Sequence, residues 1–254
     1  MNLSTRNGSL YSRIAAIVAL LSLALLSGCA TVNDMGVTAK STKLELDGDG
    51  MVLMSVVVNN QFKPDYQPEL IVTHVEEPYA DSKAQRQNFK MDNEGTLTTA
   101  DGRLYLLRMK LKPGKYIVRG ATGMYHGVLL LGTCFLPVHA DIDVQPNTVT
   151  YIGRATGKMR ERVGDEFRAG PVIPLIDQAV TGFANSTFDV TITDSWDEDE
   201  KSYRGLFPPL EQVEITKAIM PPFDRARAQA YWDSDGSSEA KPAGAATEPK
   251  QAGL

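Results

Sequence analysis

Three histidines are the side chains best suited to bind a metal ion or to transfer a proton near neutral pH. They are His74, His126 and His139, and they stand far apart in the sequence. None belongs to an HExxH motif or to a Cys/His cluster. A metal or hydrolytic site would therefore have to assemble from these dispersed residues together with Asp141 or Asp143. The simpler interpretation is that each histidine is a hydrogen-bonded structural residue on a strand.

An acidic run over Asp194–Glu200 suggests calcium binding, but its spacing argues against that chemistry. An EF-hand loop needs oxygen ligands at positions 1, 3 and 5 and a glycine at position 6. Counted from Asp194, position 3 is Trp196 and position 6 is Asp199. Ser195 and Glu198 have the spacing of a capping box, and acids favour the positive end of a helix dipole. The run therefore predicts the start of a helix.

Other catalytic patterns are also incomplete. Residues 153–159 approach a phosphate-binding loop, but they are one residue short of G-x-x-x-x-G-K-[ST] and end in Met159. The chain contains no G-x-S-x-G motif, and no pair of carboxylates stands out for glycoside hydrolysis. Trp196, Tyr231 and Trp232 could stack on sugars, but packing is the simpler interpretation. We therefore expect no enzyme activity and no catalytic, cofactor-binding or metal-binding residues.

The two cysteines lie in different surroundings. Cys134 lies in the apolar run of residues 128–136, which predicts a buried and unreactive thiol. Cys29 directly follows an apolar segment near the N-terminus. If lipid occupies Cys29, Cys134 has no partner for an intramolecular disulfide.

The N-terminal segment has the three parts of an export signal. Arg6 and Arg13 precede an apolar run over Ile14–Leu26, and small residues then lead to Cys29. A membrane-spanning helix needs roughly 17–25 apolar residues, and this run is shorter. The segment therefore predicts a cleaved signal peptide over residues 1–28.

The residues Leu26-Ser27-Gly28-Cys29 resemble the lipobox of bacterial lipoproteins. This resemblance implies cleavage before Cys29, attachment of diacylglyceryl to its thiol, and acylation of the new N-terminus with a fatty acid such as palmitate. A single acyl chain holds a protein at a membrane only marginally. Two or three acyl chains on Cys29 would make the attachment effectively permanent. By the same resemblance, Ala30 in place of aspartate implies sorting to the outer membrane.

Composition restricts the partners of the remaining chain. Removal of residues 1–28 takes away two arginines and no acid, so the net charge changes from −5 to −7. No basic patch stands out, and nucleic acid is not an expected partner. Anionic lipid headgroups would not attract the folded body, so the lipid anchor is the expected contact with the membrane.

The chain is predicted to have four parts. They are the signal peptide over 1–28, a lipidated flexible tether over 29–43, a β-sandwich domain over 44–222, and a short helix with a disordered tail over 223–254. The residues from Ser234 onward are mostly small, polar or charged, and they include no aromatic side chain. Such a segment buries too little apolar surface to offset its ordering entropy.

The body is predicted to be mainly β, a sandwich with one or two short helices near its C-terminal end. A turn at Asp47–Gly50 is expected to join a strand at Leu44 and Leu46 to the next strand. Residues 154–186 are predicted to be a long insertion with at most short elements. Further strands are predicted at 51–58, 69–76, 88–91, 103–111, 116–120, 127–136, 138–144, 148–153 and 187–193.

Three segments of the body carry a further resemblance. Lys112–Tyr116 resembles the turn and strand of prealbumin-like and Ig-like β-sandwich domains. Pro146–Gly153 and Val190–Leu210 are similar to segments of uncharacterised bacterial lipoproteins. The resemblance implies an outer-membrane lipoprotein with a prealbumin-like or Ig-like β-sandwich, and it implies no site residues beyond Cys29.

Two functions follow from these expectations. The first is a lipid-anchored, periplasm-facing envelope protein whose non-catalytic β-sandwich binds a protein or a cell-wall component. The alternative is a periplasmic hydrolase or metal-dependent enzyme built from the dispersed histidines and aspartates. The two differ in one geometric respect, because the alternative requires His74, His126 and His139 to meet in one pocket with carboxylates.

Overall fold

Two β-sheets form the body of the molecule, and the computed structural model describes residues 32–99 and 102–234. Cys29, the predicted signal peptide and the predicted tail beyond Ser234 lie outside the described residues. The strands are β1 (Val32–Asn33), β2 (Gly50–Asn60), β3 (Glu69–Glu76), β4 (Arg86–Lys90), β5 (Thr96–Thr99), β6 (Gly102–Leu111), β7 (Gly114–His126), β8 (Leu131–Val144), β9 (Val149–Glu161), β10 (Ser186–Thr193) and β11 (Ile215–Lys217).

Three short helices accompany the sheets, all in the C-terminal half of the described chain. They are α1 (Leu175–Val180), α2 (Trp196–Leu206) and α3 (Arg225–Asp233). Single 3₁₀ turns lie at Lys83–Gln85, Phe183–Asn185 and Pro208–Leu210.

The sheets have the orders β1-β4-β3-β7-β8 and β10-β9-β2-β6-β5, with β11 also paired to β9 in the second sheet. Most neighbours are antiparallel, but β1 runs parallel to β4, and β2 and β11 run parallel to β9. One buried apolar cluster contains Met54 and Leu107 from the six-stranded sheet and Val118 and Leu136 from the five-stranded sheet. The sheets therefore pack face to face, which confirms the predicted β-sandwich with short helices.

The centre of the six-stranded sheet is buried on both faces. A second apolar cluster covers its outer face, where Leu53 and Tyr151 of the sheet pack against Trp196, Tyr203 and Phe207. This double burial explains why β2 is a nearly continuous β-branched and apolar run rather than an alternating one.

Helix α2 begins where the acidic run predicts, but its predicted capping box does not form. Ser195 is the N-cap residue, yet its side chain makes no capping hydrogen bond. Its Oγ instead lies 3.0 Å from Thr193 Oγ1. Asp194 Oδ1 accepts a hydrogen bond from the Trp196 backbone N–H at 3.2 Å. The helix continues through Gly205 and ends before Pro208.

The predicted insertion over 154–186 is wrong, because β9 continues to Glu161. Its buried positions are small or flexible residues, Ala155, Gly157 and Met159, which alternate with polar or charged side chains. This alternation is the pattern of a half-buried strand, although an alanine and a glycine make it weak. The rest of the segment contains α1 and one 3₁₀ turn.

Two further expectations are corrected near the N-terminal side of the body. Leu44 and Leu46 form no strand, and both pack partly buried against the second cluster from a loop. The predicted tether over 29–43 is also part of the fold from residue 32 onward. Met35 and Val37 are buried, and the Gly36 N–H donates to Arg108 O at 2.7 Å. Packing of these apolar side chains fixes a segment whose composition suggests flexibility.

The predicted strands 127–136 and 138–144 are one strand, β8, which begins only at Leu131. β7 extends to His126, well beyond the predicted end at Gly120, and pairs with β8 along its length. The pairing is irregular between Val118 and Gly120, and His139 opposite has a φ of 49°. These irregularities form a bulge, which sets the direction of the side chains described next.

Candidate functional site

The outer face of the five-stranded sheet carries an unusual set of polar side chains. Val118 and Ala121 belong to the buried cluster between the sheets, so Arg119 between them lies on the opposite face. His139 on β8 likewise lies between buried Val138 and Ala140. The bulge therefore places an arginine and a histidine side by side on this outer face.

The outer face also contains His74, which has a complete set of partners. Its Nδ1 lies 2.9 Å from Asn88 Oδ1, and its Nε2 lies 2.8 Å from Thr122 Oγ1. Burial lowers the pKa of His74, which favours the neutral ring. His74 is thus the hydrogen-bonded strand histidine that the sequence suggests.

His139 is buried beside two positive charges. Its Nδ1 lies 3.5 Å from Arg119 Nη1. Burial, with added repulsion from Arg119 and Arg227, lowers the pKa of His139 to about 3. The imidazole is therefore neutral at physiological pH, and it can form hydrogen bonds without adding charge.

The three histidines do not meet in one pocket. The rings of His74 and His139 flank Phe135, at centroid distances of 6.0 Å and 6.3 Å. His126 lies exposed at the end of β7. Asp141, the proposed acidic partner, pairs with Arg227 at 2.8 Å. Among residues 32–99 and 102–234, no group of three or more His, Cys, Asp or Glu side chains is arranged to hold a metal ion.

Helix α3 covers a cavity on this outer face, which we call the α3 cavity. Its volume is about 460 Å³. Pro137, Ala228 and four aromatic rings form its apolar walls, while its polar side chains are one histidine and one arginine. The lining residues are Phe135, Pro137, His139, Phe167, Arg168, Ala228, Tyr231 and Trp232.

Arg119 lies directly behind two residues that line the α3 cavity. Its guanidinium carbon lies 4.9 Å from the centre of the Tyr231 ring, and its Nη1 is the atom near His139. The Arg119 Nε donates to Glu76 Oε1 at 2.6 Å. Within the described part of the chain, the buried Arg119 Nη2 has no hydrogen-bond partner. A buried donor without an acceptor is costly, about 1–3 kcal/mol.

A second feature is an apolar surface at the end of the same sheet. The turn after β7 exposes Val128 fully and Leu129 to 94%. Ile173, Leu175 and Ile176, in and just before α1, are also mostly exposed. We call these five residues the tip surface. The sequence suggests that residues 128–136 form one buried run, but only the part from Gly132 onward is mainly enclosed.

The two halves of the tip surface are held together by polar contacts. Asp177 Oδ2 accepts a hydrogen bond from the Leu131 backbone N–H at 3.1 Å. Gln178 Nε2 donates to Thr133 Oγ1 at 2.8 Å. The turn and α1 are therefore neighbours, and both expose aliphatic side chains at this end of the sheet.

The remaining sequence candidates have structural positions. Cys134 is buried, and burial raises the pKa of its thiol to about 12, which confirms the predicted unreactive environment. Residues 153–159 lie within β9 and form no loop. Asp199 of the acidic run is buried, and Trp196 packs 4.9 Å from the Tyr151 ring. Of the three aromatic residues considered for sugar stacking, only Tyr231 and Trp232 line the α3 cavity.

Comparisons with known proteins add no relative: no family model, no curated protein and no solved structure matches this chain. In the described ranges, every helix is too short or too polar to cross a bilayer.

Proposed function

We propose that this chain is a lipid-anchored, periplasm-facing lipoprotein of the outer membrane, and that its β-sandwich binds an envelope protein without catalysing a reaction. The tip surface is the observation that supports binding. Several exposed aliphatic side chains at one end of a domain are typical of interaction sites. Burial of each such side chain stabilises a complex by about 1.5–3 kcal/mol before the entropy of association is counted.

The chemistry of the tip surface favours a protein partner over a lipid surface or a sugar. Segments 127–131 and 172–180 contain one ionisable side chain, Asp177, and it is acidic. Anionic headgroups attract basic side chains, which these segments lack. They also contain no aromatic side chain for stacking on a sugar ring. An apolar patch on a protein is the complementary surface.

The predicted lipidation of Cys29 is tested directly by Cys29→Ala. We expect this variant to lose palmitate labelling and to leave the membrane fraction, because the thiol that would carry the lipid is absent. Cys134→Ala is the matched control, since it removes the other cysteine and should leave labelling unchanged. A Cys29→Ala protein that still fractionates with the outer membrane would overturn the lipoprotein proposal.

Site-specific photocrosslinking tests the binding proposal. A benzophenone side chain is placed at Leu129 or Ile176 in the full-length protein, inside the bacterium that produces it. We expect both positions to give the same adduct with one protein, and we expect Val128→Asp to abolish it. Val163, which is 70% exposed elsewhere on the domain, is the control position and should not give this adduct.

Other crosslinking outcomes argue against the proposal. Adducts with lipid alone would assign the tip surface to the membrane. Adducts whose mass is twice that of the chain would indicate self-association. The absence of any adduct at both positions would remove the support for a protein partner.

A further inference from the structure

We propose that the α3 cavity is a binding site for a small aromatic molecule that carries one anionic group. This inference goes beyond the proposed function, because the cavity lies under α3 and shares no residue with the tip surface. It rests on how α3 is held, on the shape and lining of the cavity, and on the charges around it.

Helix α3 is held by polar contacts at its edges rather than by apolar packing. Ala228 is its only buried residue. Arg227 pairs with Asp141 at 2.8 Å, and Arg225 pairs with Asp189 at 2.7 Å. Gln229 Oε1 accepts a hydrogen bond from the Phe167 backbone N–H at 2.7 Å. A surface helix normally packs an apolar stripe onto the core, whereas these contacts hold α3 above an open space.

The cavity has the size and walls of a small-molecule site. Ligand pockets generally measure about 300–1,000 Å³ and are mostly apolar with a few oriented polar groups. The 460 Å³ space has aromatic rings from both the sheet and the helix, with Phe135 on one side and Tyr231 and Trp232 on the other. A planar aromatic ring can stack between such walls.

The charges around the cavity favour an anion. None of its lining residues is acidic, and one of them, Arg168, is cationic. Behind the lining, Glu76 already binds Arg119, and Asp141 already pairs with Arg227. Arg119 does not line the cavity, so Arg168 is the cation that a ligand carboxylate or sulfonate would meet. Neutral His139, which also lines the cavity, would offer a further hydrogen bond.

Two fluorescent probes with similar aromatic rings test this inference. 8-Anilino-1-naphthalenesulfonate is anionic, whereas N-phenyl-1-naphthylamine lacks the sulfonate. The protein used is the mature chain with Trp196→Phe, which leaves Trp232 as the only tryptophan and therefore as a reporter inside the cavity. Val128→Ser and Leu129→Ser are added so that the tip surface does not bind the probes.

We expect the anionic probe to quench Trp232 emission saturably and to bind at least tenfold more tightly than the neutral probe. The substitution Arg168→Met removes the one cation that lines the cavity. It should weaken binding of the anionic probe about tenfold and leave the neutral probe unchanged. Arg103→Met is the matched control, because Arg103 pairs with Glu69 away from the cavity and should affect neither probe.

Three results would overturn the inference. They are equal affinities for the two probes, probe fluorescence without quenching of Trp232, and anionic binding that Arg168→Met leaves unchanged. Thermal melting shows whether the Arg168→Met variant is folded. If it is not, Arg168→Gln is measured in its place with the same expectation and the same consequence.

Discussion

On the outer face of each sheet, a helix lies over a buried charged side chain. The space beneath the two helices is filled to different extents. Under α2, the carboxylate of Asp199 accepts hydrogen bonds from Ser55 and Tyr151 and pairs with Arg154. Under α3, Arg119 pairs with Glu76 and leaves one nitrogen unpartnered.

The apolar packing around these charges is also more complete under α2 than under α3. Helix α2 buries Trp196, Asp199 and Tyr203, and Tyr203 OH also donates to Met54 O at 2.7 Å. Helix α3 buries Ala228 alone and covers an open cavity. Helix α2 therefore completes the core, whereas α3 covers a space that is left unfilled. Substitutions under the two helices should therefore have different effects.

The two tryptophans provide the sharpest test, because each helix contains one of them. Trp196 is 9% exposed and Trp232 is 39% exposed. We expect Trp196→Ala to lower the free energy of unfolding by about 4 kcal/mol, because it leaves a cavity in a packed aromatic cluster. Trp232→Ala should lower it by less than about 1 kcal/mol. Urea unfolding of both variants measures the difference, and equal losses would contradict the distinction between the helices.

The charge under α2 gives the next largest expected effect. Asp199→Ala removes the acceptor for two buried hydroxyls and leaves Arg154 without its buried partner. Loss of one partner of a buried pair generally destabilises by about 3–5 kcal/mol, and we expect about 3 kcal/mol because Arg154 is partly exposed. Asp197→Ala changes an exposed acid on the same helix and is the control. A loss below about 1 kcal/mol for Asp199→Ala would show that this network does not hold α2.

The strands that the sequence predicts well are those whose apolar residues leave no ambiguity. β3 has the predicted bounds, and β2 follows from its β-branched run, because large side chains buried on a sheet produce clear patterns. The continuation of β9 was missed because alanine and glycine fill its buried positions, and neither signals a strand. The burial of Met35 and Val37 is not predicted, because two isolated apolar residues in a polar segment do not distinguish a packed segment from a flexible tether.

The α3 cavity could not be predicted from local sequence. Arg119 and His139 become neighbours only through a bulge in the pairing of β7 and β8. Gly120 permits that bulge with a φ of 142°, but a single glycine in a strand does not indicate which side chains it brings together. The aromatic pair Tyr231 and Trp232 is the one available signal, since two adjacent aromatic residues in a short helix suggest stacking. Nothing in the sequence indicates that the other wall comes from Phe135, almost a hundred residues earlier.

The burial of His139 gives the smallest predicted effect, and it concerns pH. Its folded pKa of about 3 lies below the ordinary value of 6.5, so the unfolded chain binds the proton first as the pH falls. The resulting stability is fully present above pH 6.5 and is lost progressively between pH 6.5 and pH 3. At pH 5 the expected loss of stability relative to pH 7 is about 2 kcal/mol, because each pH unit below 6.5 costs about 1.4 kcal/mol.

Urea unfolding at pH 7 and pH 5 measures this loss of stability, with His139→Gln as the variant that cannot titrate at this position. The variant should lose about 2 kcal/mol less than the parent protein over this interval, since His74 and other groups titrate in both. Equal losses would mean that solvent reaches His139, and the α3 cavity would then be an open cleft rather than a covered site.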